Sequence, residues 1–532
     1  MITSDGAGGA IVCWADGRDG GADLYAQRIT SAGLTLWTAD GVAVCTAPGF
    51  RFDMETVSDG VGGAIGVWID ERAGAEADDI YAQRVSANGI VLWAADGVPI
   101  CAVPGEQHGP VIMGDGEGGA IIAWGDGRNG TSSTDIYAQR VDASGGPVWD
   151  AGGIALCASP SWQTEPAIAS DGIGGAIVVW EDGRAGYEDA DLYAQRINGL
   201  GEALWVPNGV PVCEHRTSQS ATSMVPDGSG GAIMAWVDYF GIQWEQSNLY
   251  VQHIGAGGEI LWDERGVGLS VTVFQDPNDV VLTPDGAGGA IAAWRGSSGS
   301  STGTDIYAQR IDPMGNTLWT TNGVSLCDEP GEQHHPAIAF DGAGGAIVAW
   351  RDDAPGLNNA DIRAGRIDPL GVVLWGNQGA PVSTAVNDQL FPAIVSDGGG
   401  GVVVTWTDGR NKAVSGYDVY AQRIGPEGMV PTAVGRQSQT PGLVVSPNVP
   451  NPFTTSTSVD LHLDDESVVE IRVYDVRGRL VRRAPHGTLH AGSHRLQFDG
   501  RDDAGEFLPS GVYFFRVTAN GNSTARKIVI AR

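Results

Sequence analysis

Residues 170–213 read SDGIGGAIVVWEDGRAGYEDADLYAQRINGLGEALWVPNGVPVC, and most of the chain is built from variants of this stretch. Its frame is DG-x-GGAI-x-x-W, then D-[IL]-YAQR, then LW, then GV and a cysteine. The tryptophan after the GGAI run recurs at Trp14, Trp68, Trp124, Trp180, Trp236, Trp294, Trp350 and Trp406, eight copies about 56 residues apart. A fixed period of this size marks a repeat architecture.

Within one copy the pattern predicts four short strands. Residues 166–170 form an apolar run that ends at an Asp-Gly turn signal, and AIVVW at 176–180 is rich in β-branched and aromatic residues. Residues 192–197 alternate, which suits a strand with one wet face, and residues 204–213 supply a fourth strand. No segment has a long period-3.6 pattern. The 80 glycines among 532 residues fit a chain that turns every few residues. A lone four-stranded blade leaves both faces bare, and stacking blades about an axis covers them. The expected fold is all-β: an eight-bladed β-propeller of four-stranded blades over residues 1–430, a linker at 431–447, and a small Ig-like β-sandwich at 448–532. The repeated tryptophans are expected between blades, each needing a partner for its N–H.

The copies are not uniform. The fifth has Tyr250-Val251-Gln252-His253 for YAQR, the sixth a Ser/Gly-rich loop at 297–303, and the seventh Arg363-Ala364-Gly365-Arg366. The eighth lacks the LW…GV…C segment, and Met429-Val430-Pro431-Thr432 reads as a degenerate outer strand. Eight inner sets and seven full outer strands leave ring closure open: an upstream segment would supply the last strand, or an edge stays unpaired. Met1-Ile2-Thr3-Ser4-Asp5 matches the end of an inner strand, so the sequence starts inside a blade: either the first strand is stunted or, as is expected, a segment lies upstream of it. No signal peptide is visible.

The net charge is −33, with 42% hydrophobic and 18% charged residues, the balance of a globular chain. The last 90 residues are nearly neutral, with 11 basic and 10 acidic side chains, so the acidity belongs to the repeats. Such a surface repels phosphate backbones, which argues against nucleic acid as a partner. No apolar run is long enough to form a transmembrane segment. Five cysteines, Cys45, Cys101, Cys157, Cys213 and Cys327, hold the same place in their repeats, with Ser270 and Ser383 there in two others. Equivalent positions in adjacent blades splay beyond disulfide reach. These five and Cys13 are expected to be small buried residues rather than bridges or metal ligands.

The blade unit SDG-x-GG-A-I-x-x-W-x-D-x-R…D-[IL]-Y resembles the TolB-type propeller repeat over the first half of each copy, a likeness that supports the fold and implies no activity. The tail carries a sharper one. Asn448-Val449-Pro450-Asn451-Pro452-Phe453, then Tyr474-Asp475-Val476-Arg477-Gly478, residues 499–505 (DGRDDAG), Ser510-Gly511-Val512-Tyr513-Phe514 and Lys527-Ile528-Val529 follow in order. This series resembles the Ig-like domain shared by FlgD-type hook-capping proteins and type IX secretion sorting domains. The resemblance implies an export and surface-attachment address, with secretion machinery as a partner and a bacterial location that is secreted or on the outer cell surface.

Several constellations were candidates for chemistry. The aspartates of DGR and of D-x-YAQR, with the arginine of YAQR, are expected to pair and brace each blade. Calcium is the one cation the Asp-rich loops could take, although no loop has D-x-D-x-D-G spacing; no other cofactor is expected. A glutamine stands eight residues before the DG turn at Gln107, Gln163, Gln219, Gln333 and Gln389. Gln275 precedes its turn by ten. His108 and His334 follow two of these, in the shared run Pro-Gly-Glu-Gln-His. These links sit at one end of the inner strands, where loops on a rigid scaffold bind ligands. Capping of link backbone by the glutamines is the competing role. Glu165, Asp53 and Glu55 lie in inner links without forming a convincing acid pair, and no G-x-S-x-G, H-E-x-x-H or phosphate loop is present. The expected function is non-enzymatic binding of an extracellular protein or glycan. A polysaccharide hydrolase or lyase and a purely structural surface protein are the alternatives.

Overall fold

The computed structural model describes all residues except 19–20, 75–77, 131–132, 187–188, 216, 241–245, 272–276, 298–302, 354–358, 413–415, 430–443, 446–452, 464–465, 476–478, 491, 520–521 and 532. Most of the expected linker lies outside the described residues, as do Gln275, Val430 to Thr432, Asn448 to Pro452 and Val476 to Gly478. Two compact units form, Met1–Pro431 and Thr432–Arg532.

In the first unit each repeat folds into its own antiparallel sheet with strands in chain order. The fourth copy gives Gln163–Ser170, Ala176–Asp182, Asp191–Ile197 and Val210–Cys213. The DG turn forms because the Asp171 carboxylate accepts from the N–H groups of Ile173 and Gly175, at 3.0 and 2.8 Å. Gly172 and Gly174 have φ of 76° and 91°, which side chains disfavour. The second strand is buried along its whole length, as expected for a strand covered on both faces. The third strand departs from the sequence reading, because it is also fully buried in this copy. Its polar alternation does not mark a wet face. Gln195 is 0% exposed, donates to the Val206 carbonyl and accepts from the Trp205 N–H. Its amide thus holds the segment leading to the outer strand.

Seven such sheets have four strands, and the eighth has three described ones, Gln389–Ser396, Val402–Asp408 and Asp418–Ile424. The first strand of each sheet lies beside the first strand of the next, and that of the eighth lies beside that of the first. The sheets remain separate in hydrogen bonding, an arrangement consistent with propeller blades. Between the third and fourth sheets, Ile121, Ala138 and Leu156 pack on Val178 and Trp180 of the neighbour. Trp68, Trp124, Trp180, Trp236, Trp294 and Trp350 are 0% exposed. The indole N–H of Trp68, Trp124 and Trp180 donates to the aspartate two residues on, at 2.8 to 3.0 Å. In the fifth to seventh sheets this bond is missing and the N–H has no partner. There Asp238 accepts from Thr217, Gly296 replaces the aspartate, and Asp352 pairs with Arg363.

The ion pairs differ from the expected ones in their partners. The YAQR arginine pairs with the DG-turn aspartate: Arg84 with Asp59 at 2.9 Å, Arg140 with Asp115 at 2.9 Å, Arg196 with Asp171 at 3.0 Å. The DGR aspartate instead pairs with its own arginine, as Asp126 does with Arg128 at 2.6 Å. Arg28, Arg84, Arg140, Arg196, Arg310 and Arg366 also reach the next sheet. Arg84 Nη1 and Trp93 Nε1 both donate to the Ala143 carbonyl, at 3.0 and 3.1 Å, and the two-donor joint recurs at Ala87, Gly199, Ala256, Pro369 and Pro426. All six cysteines are free and buried, and burial pushes Cys157 and Cys327 up to about 12, which leaves the thiols unreactive.

Most of the D-x-YAQR aspartates are buried, and Asp23 among them pairs with Arg51 at 3.0 Å. Burial raises Asp79, Asp191 and Asp361 from 3.8 to about 6. The folded chain therefore holds more protons than the unfolded one between these values, and stability falls as pH rises through this window. Asp16 is lowered to about 2 by Arg18, so its stabilisation is lost as pH falls below 3.8. The thermal midpoint at pH 5 is expected to exceed that at pH 7.5 by about 2–5 °C and to drop below pH 3.5, as scanning calorimetry would record.

The second unit has a sheet of Val444–Val445, Thr457–Leu463 and Gly492–Phe498, and another of Leu480–Leu489, Ser467–Asp475, Gly511–Ala519 and Asn522–Ile530. Phe453, Leu461, Ile471, Phe498 and Phe515 share one core between them. Inward residues alternate with outward ones along Gly511–Ala519, the pattern of a sandwich strand. No helix among the described residues is long and apolar enough to cross a membrane.

Candidate functional site

In five of the sheets the inner strand begins at the link that carries the glutamine. Gln107, Gln163, Gln219, Gln333 and Gln389 are all 0% exposed. Gln107 Nε2 donates to the Gly105 carbonyl at 2.7 Å and Gln389 Nε2 to Asn387 at 2.7 Å. Gln163 and Gln219 make the same bonds to Ser161 and Thr217, and Gln333 donates to Asp352 at 3.1 Å. Four of these amides fasten their link to itself, Gln333 ties its link to the second strand, and none faces solvent. In the second sheet Arg51 takes the glutamine's place, 3% exposed, with Asp23 at 3.0 Å and Asp70 at 3.5 Å. Sequence reasoning missed this exchange, because the Gln register was sought as Gln alone.

Two residues further on, every described inner strand from the second sheet onward is interrupted by a bulge, for example between Thr164 and Ala167 and between His334 and Ala337. The extra residue adopts positive φ at Asp53 (47°), Gly109 (56°), Glu165 (48°), Asp279 (53°), His335 (51°) and Phe391 (53°). Non-glycine residues rarely adopt this conformation. Proline follows at Pro110, Pro166, Pro336 and Pro392, where a lost ladder N–H costs nothing. The bulge turns this one side chain outward: Asp53, Glu165, His335 and Phe391 are exposed. The repeats are near-copies elsewhere, yet here they present acids, an imidazole and a phenyl ring.

Three of these residues meet along the inner edge. The His335 and Phe391 rings lie 5.4 Å apart, and His335 Nδ1 is 3.9 Å from Asp279. His334 sits among Arg295, Glu332 and Asp353, at 3.2, 3.1 and 3.6 Å. Burial lowers its pKa, so it is neutral at pH 7. His108 Nε2 is 3.2 Å from Thr164 Oγ1 of the next sheet. His108 and His334 thus flank the exposed rim, while the glutamines support it from inside. Burial, with Asp53 adding to it, pushes the Glu55 carboxyl up. Among the described residues no group of three or more His, Cys, Asp or Glu side chains could hold a metal ion.

Comparison with known proteins bears first on the second unit. Residues 449–523 match the FlgD Ig-like domain. The solved structure of FlgD from P. aeruginosa is similar to this part, at 27% identity over 16% of this chain and 70% of that one, with a TM-score of 0.14. For the repeats, a PL25 ulvan lyase bound to a GlcA–Rha3S saccharide is similar at 12% identity, over 68% of this chain and 90% of that one, with a TM-score of 0.42. The Penicillium chrysogenum α-L-arabinanase bound to arabinobiose is similar at 13% identity, over 62% and 97%, with a TM-score of 0.34. No curated protein matches the chain in sequence.

Proposed function

We propose that the repeats form an eight-bladed propeller whose bulged inner rim binds an extracellular glycan without transforming it. The Ig-like unit would then serve for type IX sorting or attachment at the outer surface of a bacterial cell. The observation that carries this reading is the break in repeat symmetry. One bulged position of positive φ varies through Asp53, Gly109, Glu165, Asp279, His335 and Phe391, four of them exposed, while the frame around it stays constant. Strain and variation concentrated at one rim are the mark of a recognition surface. An exposed phenyl face beside an imidazole suits stacking on the C–H face of a sugar, and the carboxylates accept from its hydroxyls. Phe391 is 61% exposed, so Phe391→Ala should leave the thermal midpoint unchanged. On a glycan array followed by calorimetry, it is expected to weaken the best ligand about tenfold. Unchanged affinity would move the site elsewhere. The second reading, a hydrolase or lyase acting on an extracellular polysaccharide, draws on the raised Glu55 carboxyl beside Asp53. Product release from polysaccharides, abolished by Glu55→Gln, would favour it.

A further inference from the structure

The outer face of the four-stranded sheet in the second unit sets cationic and apolar side chains side by side. Val469, Ile471, Val473, Phe515 and Val517 of this sheet belong to the core. The residues that alternate with them point outward, and three arginines among them form one row. Arg472 stands directly opposite Arg483 on one neighbouring strand and directly opposite Arg516 on the other. Like charges placed directly opposite one another destabilise a sheet. Glu470 offsets part of this charge: its carboxylate accepts from Arg472 at 2.7 Å and pairs with Arg483. The Arg472 and Arg483 side chains remain 40% and 60% exposed, and Arg516 is exposed.

A second row runs beside the first. Tyr474 stands opposite Phe514, one outward position further along the same two strands. Leu480 stands opposite Tyr474 on the third strand. Phe514 and Leu480 are both exposed. Arginine and aromatic side chains are the residues in which binding surfaces are enriched.

We infer that this face binds an acidic polysaccharide, a chain of uronate sugars that lies across the strands. Its carboxylates meet the arginine row, and its rings lie on the row of Tyr474 and Phe514. Charge is the first argument. The whole chain carries −33, while its last 90 residues, with 11 basic and 10 acidic side chains, sum to +1. The repeats therefore repel a polyanion, and the arginine row attracts one. Spacing is the second argument. Neighbouring strands lie about 4.8 Å apart, so the arginines repeat at that step. A uronate chain presents one carboxylate per sugar ring, at a comparable step. An extended polypeptide presents the side chains of one face about 6.8 Å apart, which does not match the row. A guanidinium takes a carboxylate through two parallel N–H bonds, and an aromatic ring offers its face to the C–H side of a sugar. The inference is independent of the glycan rim on the repeats.

The test titrates the full chain with polygalacturonate in a calorimeter, with dextran as a neutral glycan and poly-L-glutamate as an acidic polypeptide. Polygalacturonate is expected to bind, with an affinity that falls as salt rises. Arg472→Gln and Phe514→Ala should each weaken binding at least about tenfold, with the circular dichroism spectrum unchanged. Glu470→Gln removes the carboxylate from the row and should tighten binding about threefold, a gain that misfolding does not produce. Phe391→Ala on the rim should change nothing. The inference is overturned if polygalacturonate does not bind, if dextran or poly-L-glutamate binds as tightly, or if Arg472→Gln binds like the wild type. Loss of binding in Phe391→Ala would also overturn it, because the acidic chain would then occupy the rim, and the rim reading would stand.

Discussion

Trp180→Ala is expected to destabilise the repeat unit by about 3–5 kcal/mol in urea denaturation, the usual cost of emptying a large aromatic site in a packed core. Trp180 is fully buried and packs on Ala138, Leu156 and Cys157 of the preceding sheet. Its N–H donates to Asp182, which also binds Arg184, so truncation leaves a cavity and takes one donor from a buried carboxylate. Trp14→Ala is the internal control. It removes the same side chain from the same repeat position, but Trp14 is half-buried and no outer strand lies over it among the described residues. Its cost should be about half as large. Equal losses at the two positions would mean that the tryptophans do not stabilise by filling the joints between sheets.

Asp59→Ala is expected to cost as much, about 3–5 kcal/mol, by a different route. The Asp59 carboxylate is 3% exposed and accepts from Val61 and Gly63 N–H groups at 2.9 and 2.7 Å and from Arg84 at 2.9 Å. Its removal orphans two turn donors and leaves a buried guanidinium without its counter-charge. The Asp59→Ala/Arg84→Met double variant should recover part of the loss, because no unpaired charge then remains. A double variant as unstable as the sum of the singles would show the two groups to be uncoupled.

The period and the buried tryptophans were legible in the sequence because they depend on spacing and residue size alone. The charge pairing was not. Asp79 and Arg84 share a strand five residues apart, so their side chains leave opposite faces, and the arginine meets Asp59 across the sheet instead. The glutamines were visible as a recurring residue, but periodicity cannot tell a side chain turned into its own link from one turned to solvent. The exposed rim two residues on depends on a bulge that shifts the register. Its trace in the sequence is the proline after Glu165, His335 and Phe391, a faint sign beside the strong GGAI-W frame. In the second unit the ordered motifs pointed to an Ig-like domain, and residues 449–523 match one.

The carbonyl joints all lean the same way. Arg84 and Trp93 reach forward to Ala143, Arg140 and Trp149 to Gly199, and among the described residues the eighth sheet sends no such bond to the first. The sheets therefore overlap like slates laid from one eave, and the array has a leading and a trailing margin even though its members are near-copies. Under tension the seam beside Trp14 is expected to part first, because among the described residues no forward bond crosses it.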